Sequence, residues 1–261
     1  MCVHKKINRI GRAMLMVTAG VIAVGLLAAQ LHAQSFTLSQ NGKAVGTASL
    51  SMKQANGGFD ATSGAKIDMP GLKYSFNATQ MLDGGYHLTS VQLNGSVNGT
   101  AATVNTVPQA QQFLMKINAN GKVINTPLEL HKQAVFYPDF DPAALQVLLN
   151  LGAAHNNRDI WALIPKQTGS VAPLRIVTKA DEQGTLDGRA VTVHHLTVMQ
   201  DTSTTELFSG PSNELLQAEW TDEGFALVRQ GFKLTPPKRP NAAPPAQPKQ
   251  PVQPQQPVQP Q

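Results

Sequence analysis

Through much of this chain apolar residues alternate one by one with Ser, Thr, Asn and Gln, and turn residues break the alternation. In 44–54, Ala44, Gly46, Ala48, Leu50 and Met52 fall on one side; Val45, Thr47, Ser49, Ser51 and Lys53 fall on the other. Successive side chains of a strand point to opposite faces, so this pattern predicts a strand with one wetted face. The runs 35–39, 59–65, 72–80, 86–97, 113–118 and 122–128 read the same way, giving roughly seven or eight strands before Leu130. In 86–97 neither face is clearly apolar. Asn41-Gly42 and Asn120-Gly121 mark hairpins, because a two-residue turn needs positive φ at both central positions.

The pattern changes once. Asp141 supplies an N-cap side chain, Pro142 suits the first helical position, and Leu145, Leu148, Leu149 and Gly152 form an apolar stripe at helical spacing. Gly152 then reads as the helix stop. Strand patterning resumes at 159–165 and continues through 174–180, 190–200, 204–209, 215–220 and 225–234. Within 190–200 the apolar phase shifts: Val191 and Val193 share a face with His195, whereas Leu196 and Val198 share the other, which predicts a bulge at His194-His195. The expected fold is mainly β: a curved antiparallel sheet or half-barrel of about ten or more strands, with one short helix packed on its concave side.

The two ends depart from this pattern. Residues 1–33 carry His4, Lys5, Lys6, Arg9 and Arg12, then an uncharged apolar run over 13–29 and a small residue at Ala33. That is the layout of a secretory signal peptide, cut before Gln34. An uncleaved anchor is the alternative, since ~17 apolar residues is the lower limit for a span. Membrane contact is expected only through this segment, if it is retained. Residues 236–261 are almost wholly Pro, Gln and Ala and read as a disordered tail, a passive terminus or spacer. A single β domain over 34–235 is expected between them, in an exported protein, periplasmic or extracellular.

Charge and cysteine follow this division. The chain has 21 Lys and Arg against 16 Asp and Glu, but seven of those bases and none of the acids lie in the two end segments. The central domain is therefore left with 14 bases against 16 acids, and no nucleic-acid partner is expected despite a pI near 9.4. Cys2 is the single cysteine and precedes the apolar run, so the mature domain has no thiol for a disulfide, a zinc site or a nucleophile.

Phe136-Tyr137-Pro138-Asp139-Phe140-Asp141-Pro142, a Leu-rich helix, the strand Trp161-Ala162-Leu163-Ile164-Pro165 and a strand series including Ala218-Glu219-Trp220-Thr221-Asp222 occur in that order. This order, over 136–234, resembles exported bacterial families of unknown function with the antiparallel half-barrel of lipoprotein-carrier proteins. The resemblance implies a half-barrel with a helix in its concavity and a carrier role. No functional residue of the carriers matches this chain one to one, and many alternating positions are Thr, Ser, Asn or Gln where a carrier cavity is apolar.

Candidate chemistry is sparse. His194 and His195 are the only histidine pair, and adjacent strand residues face opposite ways, so without a bulge they hold no common metal. No metal and no cofactor is expected. No nucleophile-elbow sequence occurs, so no catalytic residue is assigned. The acids Asp181-Glu182 and Asp222-Glu223 read as turn residues in water. Tyr137, Phe140, Trp161, Phe208, Trp220, Phe225 and Phe232 carry the bulk of the aromatic surface, either as core or as a cavity lining. The expectation is a non-enzymatic binding or carrier protein of the bacterial envelope for an apolar or lipid-like ligand, with a cavity under the helix lined by Leu145, Trp161, Tyr137 and Phe140. The alternative is a structural or assembly protein that meets an envelope partner through a sheet edge or the Pro-rich tail; a hydrolase would need a histidine beside a serine or acid in a cleft.

Overall fold

Where the sequence puts Asn41-Gly42, the chain turns with φ of +50° and +77°, the left-handed pair a two-residue hairpin needs. The computed structural model describes residues 33–236; the remainder of the expected signal segment and of the tail lies outside the described residues. The first eight strands are β1 (Gln34–Gln40), β2 (Lys43–Ala55), β3 (Gly58–Met69), β4 (Leu72–Leu82), β5 (Leu88–Val97), β6 (Thr100–Gln109), β7 (Gln112–Ala119) and β8 (Lys122–Glu129). β9 (Ala134–Phe136), α1 (Pro142–His155) and β10 (Ile160–Ile164) follow. The series closes with β11 (Ser170–Thr178), β12 (Glu182–Leu186), β13 (Arg189–Gln200), β14 (Ser203–Ser209), β15 (Leu215–Trp220), β16 (Phe225–Arg229) and β17 (Phe232–Leu234).

These 17 strands form one large open sheet. Each of β1 to β7 pairs antiparallel with the next, and β1 pairs on its other side with β16. The sheet continues from β16 through β15, β14 and β13 to β11, β10 and β9. Among the described residues only β9 and β10 pair in parallel. The mainly antiparallel curved sheet with one helix is as the alternation predicts.

The interior is filled by the unit β9–α1–β10. Ala134, Val135 and Phe136 are all 0 % exposed, so β9 is covered on both faces. The helix is buried on every side, from Pro142 to Leu149 and again at Leu151 and Gly152, against β2, β3, β9, β10 and β15. A helix covered on more than one side belongs inside a core, and the stripe read from the sequence is one part of a surface buried from Pro142 to Gly152 except at Asn150. The helix also runs past Gly152 to His155 and is capped by Asn156 at φ +51°. A Cβ at Gly152 would stand 2.5 Å from Asn157 Oδ1, the end of a side chain that would have to turn aside.

Three strands escape the sequence reading. β6 has little apolar content, β9 has three residues, and β12 lies where Asp181-Glu182 was read as a turn. The expected strand over 225–234 is a hairpin, broken at Gln230-Gly231 with Gly231 at φ +82°. In β5 an irregularity opposite Met81/Leu82 changes the phase, so that Leu88, Val91 and Leu93 all face the core.

The bulge expected at His194-His195 is not there. β13 and β14 stay in regular register from His194↔Ser209 to Gln200↔Ser203. The phase shift has another cause. β12 pairs with the first half of β13 and carries β17, and Val193, Phe208, Leu216 and Phe232 form a small second core. Val198, Leu207 and Ala218 belong to the main core instead. β13 therefore buries one face early and the opposite face late.

Candidate functional site

The chain leaving β9 reverses through Tyr137-Pro138-Asp139-Phe140 to enter α1. Phe140 makes the reversal at φ +59°, a left-handed conformation costing a bulky L-residue roughly 1–2 kcal/mol. Its neighbours hold it there. The Phe140 ring meets Trp220 edge-on at 5.1 Å and 71°, Phe225 at 4.7 Å and 51°, and Tyr74 at 6.3 Å and 69°. The Tyr74 hydroxyl donates to the Asp139 carbonyl at 3.4 Å.

Beside Phe140 opens a cleft of about 200 Å³ whose walls include Tyr137, Trp220 and Phe225. It lies at the end of the sheet where β13 turns into β14 and β15 into β16. Its rim is charged: Lys166 Nζ lies 2.9 Å from Asp139 Oδ1, and Glu223 also lines the opening. Burial pushes the Tyr137 phenol up to about 12, a hydrogen bond with Thr205 easing the shift and the Asp139 charge adding to it. Tyr74 is raised further, by burial first and then by the charges of Asp139 and Asp141. Both hydroxyls therefore stay protonated at neutral pH, and Tyr137, which lines the cleft, serves it as a polar group rather than as a base.

Directly below, Asp141 is 1 % exposed. Its Oδ1 accepts from the Ala143 amide at 2.8 Å, and its Oδ2 accepts from Gln80 Nε2 at 3.3 Å. Burial pushes its carboxyl up to about 6; Ser63, the Ala143 and Ala144 amides and Gln80 offset part of that cost. The carboxylate fixes the start of the helix, and through it the position of Phe140.

Of the four residues expected to line one cavity, Tyr137 and Phe140 come together here. The other two do not join them. Leu145 is 1 % exposed within the main core, packed on all sides where an open concavity was expected. Trp161 lies flat on His131, ring centroids 3.6 Å apart at 9°. Trp220 and Phe225 were legible as aromatics; Lys166, Thr205 and Glu223 carried no signal, being single polar residues brought in by separate turns.

The histidine pair is divided as strand geometry requires. His194 turns to Asp181 at 3.0 Å. His195 stands between Glu182 at 2.8 Å on Nδ1 and Glu206 at 2.8 Å on Nε2, and stacks on Phe208 at 4.4 Å. Thr197 Oγ1 donates to the same Glu206 oxygen at 2.7 Å. Both ring nitrogens are thus engaged by carboxylates. Among the described residues no group of three or more His, Cys, Asp or Glu is arranged to hold a metal. The cluster pins β12 and β14 to β13, and the acids read as turn residues are its other half. Replacing His195 by Ala leaves two carboxylates without that donor, and a loss of about 1–3 kcal/mol is expected in chemical denaturation; an unchanged midpoint would contradict this bracing role.

An open, barrel-like β sheet with a filled interior and an aromatic cleft at one end defines the class. No family model matches the sequence, and no curated protein matches it either. Among solved structures the chain is similar to a beta-barrel-like protein of the domain of unknown function DUF1849 from Brucella abortus, with TM-score 0.50 and 8% identity over 78% of this chain and 96% of that one. It also matches a DUF1089 family protein from Pseudomonas aeruginosa at TM-score 0.33 and 11% identity, over 70% of this chain and 89% of that one. The first likeness is one of fold alone: this is a barrel-like fold found among proteins of unknown function. No helix among the described residues is long and apolar enough to cross a membrane.

Proposed function

We propose that this chain is a non-enzymatic binding protein of the bacterial envelope that grips one end of an amphipathic ligand in the Tyr137–Phe140–Trp220–Phe225 cleft. The observation that carries the reading is the strained Phe140, held at φ +59° among aromatic rings beside an open cleft. Backbone strain that persists in a well-packed setting is a recurrent mark of ligand clamps. The signal-like layout of 1–33 supports export.

The filled interior shapes what can be held. A carrier that swallows an acyl chain needs a hollow concavity, and here α1 and β9 occupy that space. A cleft of about 200 Å³ is smaller than the ~300–1,000 Å³ usual for a pocket that takes a drug-sized ligand. Such a site fits a head group or a single ring, with any longer portion left outside.

Native mass spectrometry and solvent extraction of the exported protein test this. The wild-type chain should carry a small molecule that Trp220→Ala loses, while the circular dichroism spectra of the two stay alike. Equal recovery from both proteins, or none from either, would count against the cleft as the binding site.

A further inference from the structure

We propose that the cleft selects an organic cation, an alkylated ammonium head group of the trimethylammonium type. This rests on the binding role given to the cleft above and names its ligand class. The chain is poor in aromatics, with 9 Phe, 3 Tyr and 2 Trp, yet four of them, Tyr137, Phe140, Trp220 and Phe225, wall this one opening. The rings are not stacked. Phe140 packs at 71° to Trp220 and at 51° to Phe225, so the cleft is bordered by inclined rings in mutual contact. Each face carries the negative lobe of the ring quadrupole, which attracts a cation, Trp most strongly.

The rim charge has the matching sign. Asp139 and Glu223 oppose the single base Lys166. Lys166 itself places an ammonium 2.9 Å from Asp139 at the mouth, where 62% of its side chain is exposed to solvent. A ligand cation entering the cleft competes with that lysine for the same carboxylate. An anionic head group would meet two carboxylates at the entrance. A neutral sugar ring would stack on Trp220 without using Asp139 or Glu223. Size agrees as well: a trimethylammonium group with a short hydroxylated arm is a small head group, in keeping with a cleft of about 200 Å³.

The test uses the full chain with Trp161→Phe, which leaves Trp220 as the sole tryptophan. Its fluorescence is titrated with tetramethylammonium chloride, with choline chloride and with 3,3-dimethylbutan-1-ol, the neutral isostere of choline, against sodium chloride at matched ionic strength. Choline should bind about tenfold more tightly than the isostere, the range a desolvated cation–π site provides. Phe140→Leu should remove most of that preference. Lys166→Gln should tighten choline several-fold by deleting the competing ammonium.

Equal affinity for choline and its isostere overturns the cation assignment and leaves an apolar cleft that still binds. Absence of both signals, with a Trp220-dependent extract still recovered, overturns the cation assignment alone. Absence of both signals and of any such extract overturns the cation assignment and the binding role together.

Discussion

Truncating Leu145 to Ala is expected to lower the unfolding free energy by about 2–5 kcal/mol, the range for deleting a large aliphatic side chain from a packed core. Leu145 is 1 % exposed, and the helix that carries it is covered on every side. Little relaxation is available, because Ala143, Ala144, Val147 and Leu151 around it are themselves 0 % exposed. Urea denaturation should show a lower midpoint with an unchanged slope. The result also separates two architectures. Were the concavity hollow, Leu145 would line a wet or ligand-filled space and its truncation would cost below about 1 kcal/mol. A loss that small would sink the view of α1 as a plug and return the interior to the carrier reading.

Asp141 should make the protein less stable as the pH rises from about 4 to about 6.5. Its folded-state value is about 6 against an ordinary 3.8, so between those values the folded chain holds a proton that the unfolded chain has released. The stabilisation is fully present below the lower value and is lost as pH climbs through the upper one. A shift of this size corresponds to roughly 3 kcal/mol. Other carboxyls work the opposite way. For Asp83, burial raises the value, but hydrogen bonds from the His87 side chain and from the His87 and Gly85 amides outweigh it and hold the carboxyl low. The difference between two proteins therefore isolates Asp141. Asp141→Asn keeps an oxygen for the Ala143 amide and suits the cap position, yet does not titrate. The stability of Asp141→Asn minus that of the wild type should grow by about 2 kcal/mol over this window. A constant difference would mean that the carboxyl is not buried as described.

These two residues show how differently parts of this protein could be read from the sequence. Asp141 was legible as a helix cap from Asp141-Pro142 and the leucines behind it. Its burial was not, because Gln80 and Ser63 arrive from strands some 60–80 positions earlier in the chain. Leu145 was legible as apolar and inward-facing. Whether it faced a cavity or a packed wall depended on β9, three residues with no periodicity to display. The phase shift at His194-His195 is present in the sequence, but its cause lies outside that strand. A bulge was the local account, whereas β12 and β17 folding over β13 was the true one, and neither strand follows from the pattern of β13 itself.

By itself the sequence determined the local geometry: the hairpin positions at Asn41-Gly42 and Asn120-Gly121, the alternating strands, and the helix behind Asp141 with its cap. Those features depend on residues a few positions apart, where positive φ, side-chain period and capping act directly. Only the tertiary structure decided that the concavity is filled, that His195 stands between Glu182 and Glu206, and that Tyr137, Phe140, Trp220 and Phe225 enclose one cleft. Each of these joins side chains from strands and turns far apart in the chain. Which face of a strand is covered, and by what, is set by pairing across the sheet rather than by the residues of that strand.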